Sequence, residues 1–110
     1  MKAAVYCGTR NLYEKMVPAY NSLLAHSDVD KIYLVIEDDN FPYDLPNEIE
    51  IINASNQQWF SPSGPNYNSS WSYMNLIRMA LSKILINIDK VLYLDVDTIV
   101  NENISEIWDY

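Results

Sequence analysis

Four short apolar runs and two stripes of apolar residues at helical spacing organise this chain. The runs are Lys2 to Cys7, Lys31 to Ile36, Glu48 to Ile52 and Lys90 to Leu94. The first, second and fourth are continuous, the pattern of strands covered on both faces, and the third is short and begins by alternating. One stripe, Tyr13, Met16, Val17, Tyr20, Leu23 and Leu24, predicts an amphipathic helix. Pro18 is tolerated in a first turn, so this helix is expected to start close to Glu14 and to end around His26 and Ser27. The second stripe, Met74, Ile77, Leu81, Ile84 and Leu85, predicts a helix capped by Ser69 or Ser70, with Arg78 off the stripe. Between these elements lie a turn, Gly8-Thr9-Arg10-Asn11, and an extended loop from Glu37-Asp38-Asp39-Asn40 through Pro42 and Pro46. A longer loop, Asn53 to Asn68, carries Trp59 and Phe60; loops of that length are usually functional or mobile.

The order is strand, helix, strand, strand, helix, strand. It predicts an α/β domain spanning 1–110, with a parallel sheet, helices on both faces and strand order 3-2-1-4. The order reverses between strands one and four, and ligands of such sheets bind at the carboxyl ends of the strands there. The segments arriving at that crevice are Cys7 to Tyr13 and Asp95-Val96-Asp97.

Asp95 and Asp97 carry the chemistry. In an extended chain they project to one side, where two close carboxylates repel unless a cation joins them. Hard divalent ions such as Mg²⁺ or Mn²⁺ suit that oxygen pair. The competing interpretation is a strand end whose carboxylates cap the next turn and face water. Charge bears on the choice. The net charge of −8, with seven basic residues, argues against nucleic acid and anionic membranes as partners. A phosphorylated ligand would therefore need a metal to bring positive charge. A single cysteine, Cys7, and the lack of a long apolar window make a reducing, cytoplasmic setting the expectation, without a membrane span.

Three blocks of sequence resemble the N-terminal half of glycosyltransferase family 8. They are Thr9-x-x-x-Tyr13 after a strand, with Ser22-Leu23-Leu24 ending the next helix; a helix bearing Arg78; and Lys90-Val91-Leu92-Tyr93-Leu94-Asp95-Val96-Asp97-Thr98-Ile99-Val100, with Asn103-Ile104 beyond. The resemblance implies a Rossmann-like GT-A fold and transfer of a sugar from a UDP-sugar with retention of configuration. It implies that Asp95 and Asp97 hold Mn²⁺ (or Mg²⁺), with Asp95 also reaching the ribose. Tyr13 would lie against the uracil, while Cys7, Gly8, Thr9, Asn11 and Val96 line the nucleotide and Arg78 touches the donor sugar. In the family a third metal ligand is a histidine near the C-terminus, whereas the histidine here, His26, ends the first helix. The acceptor site also belongs to the half that this chain lacks, so the resemblance implies a truncated fold and an unknown acceptor.

Each assignment has a plainer competitor. Tyr13 also opens an apolar stripe and fits a core position; Arg78 fits a solvated helix face or an ion pair. Cys7 fits a buried small hydrophobe, Glu37-Asp38-Asp39 a solvated turn, and His26 a structural helix end. Trp59 and Phe60 fit a lid or a loop docked on the core. The Leu94-Asp95-Val96-Asp97-Thr98-Ile99 string superficially resembles the nucleophile motif of haloacid-dehalogenase phosphatases, but too little chain follows to supply its partners. A calcium loop of EF-hand type fails because Val100 stands where glycine is required. The main alternative function is a non-catalytic nucleotide-sugar-binding or self-associating module, with Ile104, Ile107 and Trp108 as the expected apolar surface of a homo-oligomer.

Overall fold

The computed structural model describes residues 1–57 and 77–110. Strand β1 (Ala3–Cys7) is buried along its entire length, because it pairs on both sides. β2 (Lys31–Ile36) lies parallel to one edge of it, with Ala3 opposite Lys31 and Cys7 opposite Val35. β4 (Val91–Tyr93) lies parallel to the other edge, with Ala3 opposite Val91 and Val5 opposite Tyr93. β3 (Ile49–Asn53) completes the sheet on β2. The order is β3-β2-β1-β4 with every pair parallel, the α/β arrangement expected from the apolar runs. The two inner strands are continuous apolar runs and the two edges are only partly buried, as their exposure to one neighbour requires.

Helices cover both faces. On one, α1 (Tyr13–His26) lays Tyr13, Met16, Ala19, Tyr20 and Leu23 against Ala4, Tyr6, Ile32, Leu34 and Ile36. Burying a side chain of this size removes about 1.5–3 kcal/mol of unfavourable hydration, so this face is the main source of cohesion. On the other face, a 3-10 turn (Ile77–Ala80) leads into α2 (Leu81–Ile84), and Ile77, Leu81 and Leu85 pack on Val5, Cys7, Tyr33 and Val35. The expected start of that helix at Ser69 or Ser70, with Met74, Trp59 and Phe60, lies outside the described residues.

Three boundaries differ from the sequence expectation. α1 begins at Tyr13 behind a 3-10 turn (Arg10–Leu12), so Pro18 sits inside the helix and not in its first turn. Having no N–H, Pro18 cannot bond the Glu14 carbonyl, and the buried stripe holds the helix across that gap. At the far end Ser27 Oγ donates to Leu23 O at 2.8 Å and Ile104 N to His26 O at 3.0 Å, two of the carbonyls the helix leaves open, while His26 Nδ1 donates to Ser22 O at 2.9 Å. β3 lies one residue later than expected, from Ile49 to Asn53. β4 is shorter than the run Lys90 to Leu94. It gives one further ladder bond, Leu94 N to Val5 O at 3.1 Å, and then the chain turns.

Candidate functional site

Asp95 comes two residues after the end of β4, and carrying the β1–β4 register on by two places sets it beside Cys7, at the carboxyl ends of the two strands. The backbone there is a turn, not the extended chain assumed from the spacing. Thr98 donates to the Asp95 carbonyl twice, from N at 3.2 Å and from Oγ1 at 2.6 Å. Both carboxylates are nonetheless exposed, because Val96 between them is buried in the α1-side core. Burial of that valine, and not strand alternation, turns Asp95 and Asp97 outward. Neither carboxylate has a hydrogen bond or ion pair among the described residues.

The turn is anchored from behind. Val100 N donates to Ser22 Oγ at 2.9 Å, while Ser22 Oγ donates to the Ala19 carbonyl at 2.7 Å. One hydroxyl on α1 thus fixes the segment after the acidic pair. Sequence reading placed Ser22 only as the end of a motif block and missed this task; a serine in a helix next to an apolar stripe was the available signal.

Opposite stands the loop after β1. Gly8 is buried, and a Cβ there would come within 2.7 Å of the Met16 terminal methyl and 3.4 Å of Leu12 Cβ, so glycine lets the loop fold down on α1. Thr9 is half-buried and Asn11 exposed, and Thr9 Oγ1 donates to Asn11 Oδ1. These two present polar groups at the crevice. Cys7 is 7% exposed, and burial pushes its thiol up to about 12, so it stays protonated and packs as a small apolar residue.

Tyr13 requires a correction. It is expected to lie against a base, but it is 3% exposed and its ring centroid is 5.4 Å from that of Phe41. Its ring therefore belongs to the core, and its face is not on offer to a ligand. The hydroxyl is occupied too: it donates to Asp38 Oδ2 at 2.9 Å and accepts from Glu37 N at 3.0 Å. Burial is the main cause that pushes it up to about 12.

Glu37-Asp38-Asp39, expected as a solvated turn, instead has specific partners. Arg10 grips Asp38 through both fork nitrogens, Nε to Oδ2 at 2.9 Å and Nη2 to Oδ1 at 2.8 Å. Arg10 N donates to Glu37 Oε1 at 2.7 Å, and Asn53 Nδ2 donates to Asp39 Oδ1 at 2.8 Å. Arg10, first, and then Tyr13 hold the Asp38 carboxyl below its ordinary value, and the Arg10 guanidinium is raised in turn.

The other expected residues fall elsewhere. Arg78 lies on the turn Ile77–Ala80, and its side chain is outside the described residues. His26 ends α1 at the amino side of the sheet, away from Asp95. Ile104 and Trp108 pack on the α1-side core, so of the expected apolar surface only Ile107, 38% exposed, faces outward. A cavity of about 360 Å³ opens between Lys2, Lys90 and Trp108, at the amino ends of β1 and β4, and shares no residue with the acidic pair.

Among the described residues, no three His, Cys, Asp or Glu side chains come together to hold a metal. Asp95 and Asp97 are both exposed on the turn after β4. Such a pair fits a hard divalent cation that completes its shell with phosphate oxygens and water.

A four-stranded parallel sheet with a polar loop and an acidic turn at its switch point describes many nucleotide-binding folds. The family model of Glycosyl transferase family 8 matches residues 4–110. This chain belongs to glycosyltransferase family 8. No curated protein and no solved structure matches it. Family 8 membership makes glycosyl transfer the chemistry, with a nucleotide-sugar donor and an acceptor, and the family is typically metal-dependent. The sheet order fits the Rossmann-like GT-A fold. Among the described residues no helix is long and apolar enough to cross a membrane.

Proposed function

We propose that this chain is the donor-binding half of a retaining glycosyltransferase that takes a UDP-sugar, with Mn²⁺ (or Mg²⁺) held by Asp95 and Asp97. The observation that carries the reading is the pair itself: two exposed carboxylates, unpaired among the described residues, on one turn beside the β1 loop. Carboxylates left unpaired next to each other are poor stabilisers and good ligands. When bound, the metal supplies a Lewis acid for the departing diphosphate.

The chain's own residues bind and orient. Asp95 and Asp97 set the position of the diphosphate, Asp95 reaching the ribose as well. Thr9 and Asn11, the polar groups of the β1 loop, meet the base edge and ribose. Cys7, Gly8 and Val96 contribute backbone at the same crevice, since their side chains are buried or absent. Tyr13 supports that loop from the core and does not stack. Arg78 contacts the donor sugar. The lone, buried Cys7 supports a reducing, cytoplasmic setting.

Calorimetric titration of UDP into the chain tests this. Binding is expected in Mn²⁺, lost in EDTA, and weakened about a hundredfold or more in Asp97→Ala, equivalent to about 2.7 kcal/mol. A folded sample that gives no heat in either buffer overturns the reading. Equal binding in EDTA overturns the metal's part in it.

A further inference from the structure

We infer that Asp38 is a positioning residue for donor binding: with Glu37 it clamps Arg10 and Tyr13, and so fixes the Gly8–Leu12 loop opposite Asp95 and Asp97. The inference rests on the donor reading above. It concerns a residue that would not touch the donor.

The loop has little to hold it otherwise. Its own bonds are Leu12 N to Thr9 O at 2.9 Å and the Thr9–Asn11 side-chain pair, with Gly8 N to Val35 O at 3.1 Å at its root. The tip, where Arg10 and Asn11 are exposed, is tied down from the β2 side alone among the described residues. Three donors converge on Asp38: Arg10 Nε, Arg10 Nη2 and the Tyr13 hydroxyl. A forked guanidinium on a carboxylate fixes direction as well as distance.

An exposed ion pair alone would be a weak brace, and the Arg10 side chain is 66% exposed. Asp38 differs because its third donor is a core residue, Tyr13, whose position is set by packing. The clamp therefore transmits the rigidity of α1 to a loop on the surface. It also commits the Arg10 charge to Asp38, which leaves the positive charge at this rim to come from elsewhere. Asp39 continues the tie to Asn53 at the end of β3.

The test is UDP binding in Mn²⁺ for Asp38→Ala, Asp38→Asn, Arg10→Ala and the Asp38→Ala/Arg10→Ala pair, with two controls: Mn²⁺ binding without UDP and the urea midpoint. Asp38→Ala and Arg10→Ala are each expected to weaken UDP about tenfold, and the pair no more than either alone. Asp38→Asn, which keeps an acceptor, should fall between wild type and Asp38→Ala. Mn²⁺ affinity should stay where it was, and the urea midpoint, though lower, should show every variant still folded under the binding conditions. Unchanged UDP affinity in Asp38→Ala, losses that multiply in the pair, or a fall in Mn²⁺ affinity of the same size overturns the clamp. So does tighter UDP binding in Asp38→Ala, which would mean that the freed arginine binds phosphate. A wild-type chain that binds no UDP overturns the donor reading and the clamp together, whereas intact binding in Asp38→Ala overturns the clamp alone.

Discussion

Two acidic segments share the carboxyl rim of one sheet and are treated in opposite ways. Asp38, after β2, receives three donors from Arg10 and Tyr13 and sits half-buried beside them. Asp95 and Asp97, after β4, receive none from the described residues and are exposed. The contrast separates structure from chemistry better than composition can. A carboxylate whose acceptor sites are filled by its own chain is part of the scaffold. A pair left unfilled at a switch point is available to something the chain does not contain.

If that contrast is right, damage on the tied side lowers stability and damage on the open side does not. The largest effect is expected from Tyr13→Phe, which leaves Glu37 N without its acceptor and Asp38 without one donor. Losing such partly buried bonds costs about 1–3 kcal/mol in urea unfolding; an unchanged midpoint would show that the tie is ornamental. Next comes Ser22→Ala, which removes the acceptor for Val100 N and the donor to Ala19 O. About 1 kcal/mol should be lost, with a weaker grip on the Asp95 turn that shows as faster amide exchange at Thr98 and Val100.

Acid provides a smaller test. The folded value of Asp38 lies below its unfolded one, held down first by Arg10 and then by Tyr13. Its contribution is therefore complete above the unfolded value of about 3.9 and is lost as pH falls through the lower folded value. Between pH 5 and pH 2 the wild type should lose more stability than Asp38→Asn. Asp28, lowered by Lys2, acts in the same window and cancels in that comparison. The smallest effect belongs to the open side. Asp95→Asn with Asp97→Asn should move the urea midpoint by no more than about 0.5 kcal/mol in free-energy terms. A loss of several kcal/mol would make those carboxylates structural after all.

Much of the fold was legible because continuous apolar runs and helical spacing are strong, local signals. β2 was read to the residue, and the sheet order followed from connection rules. The position of Pro18 was misjudged because Arg10–Leu12 winds as a 3-10 turn, which no spacing announces. At the site, Asp95 and Asp97 were legible as a motif, but the reason both stay exposed on a turn was not. It lies in Val96 finding the core, a tertiary fact. Tyr13 fitted a base contact and a core position by sequence, with the base contact favoured, and its burial against Phe41 puts the ring in the core. The Arg10–Asp38 grip was beyond sequence reading, since its partners stand 28 residues apart with nothing local to link them.

The pairing of β1 on both sides has a consequence in time. Its contact with β2 joins Ala3 to Lys31, but its contact with β4 joins Ala3 to Val91. Closing the longer loop costs more chain entropy, so the β4 edge is expected to dock after β1, α1 and β2 have formed. Pulse-labelled hydrogen exchange should find Tyr6 and Val35, whose N–H groups lie in the β1–β2 ladder, protected before Leu92; the reverse order would refute it. A nascent chain still lacking β4 could already hold most of its hydrophobic core while possessing no acidic pair at all. Capacity for ligand, on this view, arrives in a single late step and cannot be present in a half-finished molecule.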